Sequence, residues 1–153
     1  MGFAKDTQIT MFDGTLRNIE EIHMGEYIRG VDEWLTVTNV IYGHDENLLQ
    51  IEIEELENVS LLKLLPDSVV MTVVGARRAE QIVSGDSLQC TDDRFATVRD
   101  VKTIAYNDRV YHLCFDQNDI YFANGVAVGP MELEFAKPYD NFDLQAFANE
   151  LSK

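Results

Sequence analysis

Apolar and polar residues alternate with period two along Gln50-Ile51-Glu52-Ile53-Glu54, which puts the isoleucines on one face of a strand and the glutamates toward water. Similar short runs, rich in Val, Ile, Thr and Tyr, occupy 34–42, 48–53, 69–74, 96–105, 109–115 and 120–123. Turn signals punctuate them at Asp13-Gly14, Gly43, Pro66-Asp67, Gly75, Gly85-Asp86, Asn107-Asp108 and Asn124-Gly125. Many short strands at this spacing predict an all-β sandwich or barrel-like fold rather than βαβ units.

Two segments interrupt the strand pattern, 19–24 and 79–83, and each reads as a single helical turn or tight connection. They also resemble each other. Ile-Glu-Glu-Ile-His-Met-Gly-Glu-Tyr-Ile, ending at Ile28, matches Ala-Glu-Gln-Ile-Val-Ser-Gly-Asp-Ser-Leu, ending at Leu88, as a weak internal repeat. The last stretch differs in kind. Beyond Pro138, the residues Phe142, Ala146, Phe147 and Leu151 fall near helical spacing, with Asp140 or Asn141 placed to cap the N-terminus. Residues 131–153 therefore read as an extension carrying a short amphipathic helix.

Composition narrows the choices. A chain of 153 residues with 46% hydrophobic residues is long enough for one domain with its own core. The 27 acidic residues against 12 basic ones give a net charge of −15, which disfavours nucleic acid as a partner. No apolar run is long enough to span a membrane, and no secretory signal is expected, because Lys5, Asp6 and Asp13 break up the N-terminus. Cys90 and Cys114 lack CxxC spacing and read as buried reduced thiols, with a disulfide left open. His23 and His44 stand far apart in polar contexts and offer no zinc spacing. The carboxylates of 45–57 and Asp92-Asp93 lack the spacing of a calcium loop and read as solvated acidic faces. No cofactor is implied.

Two windows carry a more specific signal. One runs from Gly2-Phe3-Ala4-Lys5-Asp6-Thr7-Gln8-Ile9-Thr10-Met11-Phe12-Asp13-Gly14 to Ile19-Glu20-Glu21-Ile22-His23-Met24-Gly25-Glu26. The other runs from Val110-Tyr111-His112-Leu113 through Tyr121-Phe122-Ala123-Asn124-Gly125-Val126-Ala127-Val128-Gly129-Pro130. Together they resemble the opening and closing blocks of the Hint family, the fold of inteins and of the Hedgehog autoprocessing domain. The resemblance covers residues 2–130 and implies a pseudo-twofold β-fold built from two related halves, which agrees with the internal repeat. It leaves 131–153 as an addition.

The family begins at a nucleophilic Cys or Ser, and inteins end at His-Asn. The matching places here hold Gly2, and Gly129 with Pro130. A middle window, Leu64-Leu65-Pro66-Asp67-Ser68-Val69-Val70-Met71-Thr72, resembles the family's Thr-x-x-His block with Leu65 and Ser68 at its key positions. The family's histidine protonates the scissile amide nitrogen, which a serine hydroxyl cannot do near neutral pH. Gly2 cannot supply the attacking thiol or hydroxyl, unless it stands where a natural cysteine was replaced. His112 falls near a position where relatives carry an acidic residue and reads as a packed or solvated strand histidine.

The resemblance thus implies a non-catalytic Hint-fold structural or interaction module, with vestigial positions Gly2, Leu65, Ser68, Gly129 and Pro130. Hint domains with similar opening blocks occur within bacteriophage structural proteins, which extends the expectation to a virion tail, neck or capsid accessory component. The contact with a protein partner, or with a second copy of the chain, is expected at Phe142, Phe147 and Leu151, with a tail folded back onto its own domain as the alternative. The competing expectation is an autoprocessing, intein-like domain in natural or inactivated form.

Overall fold

The fold was described from a computed structural model, which covers residues 1–129 apart from Asp32 and Asn118. Pro130 and the extension 131–153, with Phe142, Phe147, Leu151 and the expected helix, lie outside the described residues.

Twelve strands follow one another: β1 Phe3–Ala4, β2 Gln8–Thr10, β3 Leu16–Asn18, β4 Tyr27–Arg29, β5 Trp34–Glu55, β6 Asn58–Leu64, β7 Val69–Thr72, β8 Gly75–Arg78, β9 Ser87–Gln89, β10 Phe95–Phe115, β11 Tyr121–Ala123 and β12 Val126–Gly129. Single 3₁₀ turns stand at Ile19–Glu21, Ala79–Gln81 and Thr91–Asp93. The two expected helical turns are present, each shorter than its segment. The strands pair in the order β3-β2-β11-β12-β7-β9-β10-β1-β6-β5-β4, with β8 attached to β7. The ends of that order meet where Met11 bridges Ile28, so the sheet curls onto itself. Inside the curl, Phe3, Ile9, Ile19, Ile28, Leu35, Ile51, Leu62, Leu64 and Leu88 are fully buried in one cluster. Each such side chain contributes about 1.5–3 kcal/mol of transfer free energy.

The alternation at 50–54 behaves as the pattern requires: Ile51 and Ile53 are buried, and the glutamates are not. Two expected breaks do not occur. Gly43 lies within β5, paired with Val110, and Asn107-Asp108 lies within β10. The register shifts between Ala105 and Asp108, where Asn107 takes a φ of 72°. A bulge absorbs the turn residues, so two runs that look separate in sequence form one 21-residue strand.

The repeat is structural as well as sequential. Ile19 N–H donates to Thr7 O at 2.8 Å, and Ala79 N–H to Ser68 O at 2.7 Å. Gly25 N–H donates to Val37 O and Gly85 N–H to Val98 O, both at 2.8 Å. The Glu26 carboxylate accepts from His23 N–H at 2.7 Å, and the Asp86 carboxylate from Val83 N–H at 2.9 Å. Gly25 and Gly85 have φ values of 91° and 96°, a region open to glycine, which explains why Gly precedes the acidic residue in both copies. The two halves are one hydrogen-bonded frame built twice. Among the described residues, no helix is long and apolar enough to cross a membrane.

Candidate functional site

The loop Leu65-Pro66-Asp67 turns the chain between β6 and β7, closed by Ser68 N–H donating to Leu65 O at 3.0 Å. That turn buries the Ser68 side chain completely and aims it at Gly2. Gly2 N–H donates to Ser68 Oγ at 3.0 Å, and the same hydroxyl lies 3.1 Å from Gly2 O, to which it donates. Gly2 O also accepts from Leu65 N–H at 2.9 Å. One hydroxyl therefore spans both backbone polar groups of a residue 66 positions away. A buried amide left without such a partner loses about 1–3 kcal/mol, so the serine is tied to this place by satisfaction of Gly2.

The other parts of the site come from neighbouring strands. Gly129 pairs with Val69, the residue after Ser68, which brings the end of β12 close to Ser68. Tyr111 pairs with Phe3, and its carbonyl oxygen would stand 3.2 Å from a Cβ placed on Gly2, with Leu65 Cδ1 at 3.6 Å. A side chain at position 2 thus needs a shift of a few tenths of an ångström, and the backbone there imposes no left-handed φ. The Met1 nitrogen lies 2.6 Å from Asp67 Oδ1.

Gly2, Leu65, Ser68 and Gly129 are consequently gathered in one place, although they are spread over most of the chain. Pro130 lies outside the described residues, as do Phe142, Phe147 and Leu151. His112 is closer to this site than its sequence context suggested. It is partly buried on β10, next to Tyr111, and its Nδ1 is shielded without a hydrogen-bond partner among the described residues. Burial, foremost, and the charged Met1 amino group pull its pKa below the ordinary histidine value, while the Asp67 carboxylate acts in the opposite direction. The proximity of Asp67 was open to discovery from sequence, because it immediately precedes Ser68. The shielding of His112 was not, because it depends on tertiary packing around β10.

Chemically, this place holds a hydroxyl already engaged at both ends, a carboxylate and an imidazole that burial favours as neutral. Gly2 offers no thiol or hydroxyl. His23 and His44 are exposed, away from any such arrangement. No group of three or more His, Cys, Asp or Glu residues suited to a metal occurs among the described residues. Cys90 is buried as expected, whereas Cys114 is only partly so, and the two are not joined in a disulfide; burial, foremost, pushes the Cys90 pKa up to about 11, which makes it a poor nucleophile.

No family model matches the sequence, and no curated protein does. Solved structures do match. The gp41-1 intein superposes with a TM-score of 0.73 at 14% identity, over 84% of this chain and 98% of that one. A bacterial intein-like domain from Clostridium thermocellum gives a TM-score of 0.72 at 22% identity, over 84% and 98%. A DnaB intein from Synechocystis sp. PCC 6803 gives 0.68 at 14%, over 84% and 96%. Identities this low establish the fold, and the fold is that of inteins and intein-like domains.

Proposed function

We propose that this Hint-fold chain is a non-catalytic structural or protein-interaction module, of the kind a virion tail, neck or capsid accessory protein would use. The observation that carries the reading is the mutual hydrogen bonding of Ser68 and Gly2. In this fold an acyl shift needs a nucleophilic side chain on the residue after the scissile bond and a proton donor at the amide nitrogen. The residue at the first place is Gly2, and the group on its amide nitrogen is a serine hydroxyl. That hydroxyl accepts the Gly2 N–H and donates to Gly2 O, an arrangement that holds the peptide in its ground state rather than distorting it. In this reading the extension, through Phe142, Phe147 and Leu151, meets a protein partner.

The test is a fusion of a reporter protein to the N-terminus, incubated with dithiothreitol or hydroxylamine and followed by intact mass. The expected result is an unchanged fusion. A fragment with the mass of cleavage at the Met1–Gly2 bond would overturn the proposal and restore the autoprocessing alternative.

A further inference from the structure

An exposed aromatic face lies on β4, β5 and the turn after β2. Tyr27 pairs with Thr36 and Arg29 with Trp34, so these four side chains share one face of β4 and β5. Phe12 joins them: its ring meets Tyr27 edge-on with centroids 6.0 Å apart, and its carbonyl oxygen accepts from Arg29 Nη2 at 3.4 Å. Phe12, Tyr27 and Trp34 are 53%, 47% and 62% exposed. Arg17 at the border is held by Glu26, and Asp13 accepts from Thr15, which leaves the Arg29 guanidinium as the cation beside the aromatic rings.

The chain's own continuation starts close to this face. Val126, Ala123 and Ile9 form one cross-strand row. β12 and β2 each run antiparallel to β11 and so run in the same direction. Val126 and Ile9 therefore stand two strand spacings apart, or about 10 Å, and Gly129 and Phe12 each follow three residues further along the chain. Residues 130–153 follow Gly129 and carry Glu132, Glu134, Asp140, Asp143 and Glu150 against Lys137 and Lys153. Their apolar members include Phe142, Phe147 and Leu151. Even a wholly helical path, at about 1.5 Å per residue, covers the distance several times over.

We infer that the face formed by Phe12, Tyr27, Arg29 and Trp34 is the docking surface for the chain's own segment 131–153. Phe142 and Phe147 pack on the aromatic side chains, and the flanking carboxylates, Asp143 among them, meet Arg29. Aromatic pairs of this kind add to the area they bury, and arginine prefers a carboxylate that it can grip with two N–H groups. The inference rests on reading 131–153 as an interaction segment, and it names the surface that segment occupies when no partner competes for it.

Trp34 is the single tryptophan of the chain, so its fluorescence reports on this face alone. The full chain is compared with its Phe142→Asp/Phe147→Asp variant and with a Phe12→Ser variant, by emission maximum and by acrylamide quenching across a wide protein concentration range. Circular dichroism and melting confirm that each variant is folded. The expected result is a protected, blue-shifted Trp34 in the natural chain at every concentration, and a red shift with increased quenching in both variants. Equal quenching in all three proteins overturns the inference. Protection that appears only as concentration rises also overturns it, since the occupant is then a second copy. The reporter fusion reads a different property: a released fragment would defeat the inert reading and leave Trp34 protection unaffected.

Discussion

The two halves of the frame use equivalent hydroxyls for different ends. In the first half, Thr7 Oγ1 donates to Ala4 O at 2.7 Å, three residues away, and closes a local turn. In the second, Ser68 occupies the equivalent place, as the residue whose carbonyl receives the 3₁₀ turn, yet its hydroxyl reaches back to Gly2. Both hydroxyls are buried and both frames are otherwise alike. The difference shows that the duplicated frame is structural, whereas the contact to the first residues of the chain is an addition made by one half.

That comparison breaks most visibly if the halves are unequal in the core. Ile28 and Leu88 stand at equivalent places and are both fully buried. Ile28→Ala and Leu88→Ala should each lose about 2–5 kcal/mol in urea denaturation, with similar values. The hydroxyls should behave unequally. Ser68→Ala leaves the Gly2 amide without its partner and should cost about 1–3 kcal/mol. Thr7→Val should cost only about 0.5–1.5 kcal/mol, because Ala4 O still accepts from Thr7 N–H at 3.3 Å. Equal losses at the two positions would remove the asymmetry. At the paired turns the halves should agree again. A Cβ on Gly25 or Gly85 meets nothing within 4 Å, so Gly→Ala at either carries only the backbone cost, about 1–2 kcal/mol, and the two values should match.

The smallest expected effect is one of pH. Because burial depresses the His112 pKa, the folded state binds fewer protons than the unfolded chain. The stability this contributes is fully present above the ordinary value of 6.5 and is lost as pH falls through the lower folded value. His112→Leu should flatten that part of the stability profile. A variant that retains the full decline would show that other groups carry it.

Much of the frame was legible in sequence, because it depends on local rules. Period-two alternation located Ile51 and Ile53, and the repeated Gly-acid pairs located both tight turns. The gathering of Gly2, Leu65 and Ser68 was legible through motif spacing. What escaped was governed by distant pairing. Gly43 and Asn107 carry turn chemistry, but the partner strand enforces extended structure through the first and a bulge at the second. His112 looked ordinary because its shielding comes from packing that no local pattern encodes. The aromatic face was equally hidden, since Phe12, Tyr27 and Trp34 are isolated apolar residues until β4 and β5 pair.

The central claim is that the second half now holds the first residues in place instead of activating them. It is tested most directly by comparing Gly2→Cys with Gly2→Cys/Ser68→His in the same N-terminal reporter fusion, followed by the rate of thiol-induced release. The account predicts essentially no processing with Gly2→Cys alone, and a rate higher by roughly 10²–10⁴ when a proton donor is also placed at position 68. Equally fast release from the two variants would contradict it, because the serine would then be no obstacle to the chemistry.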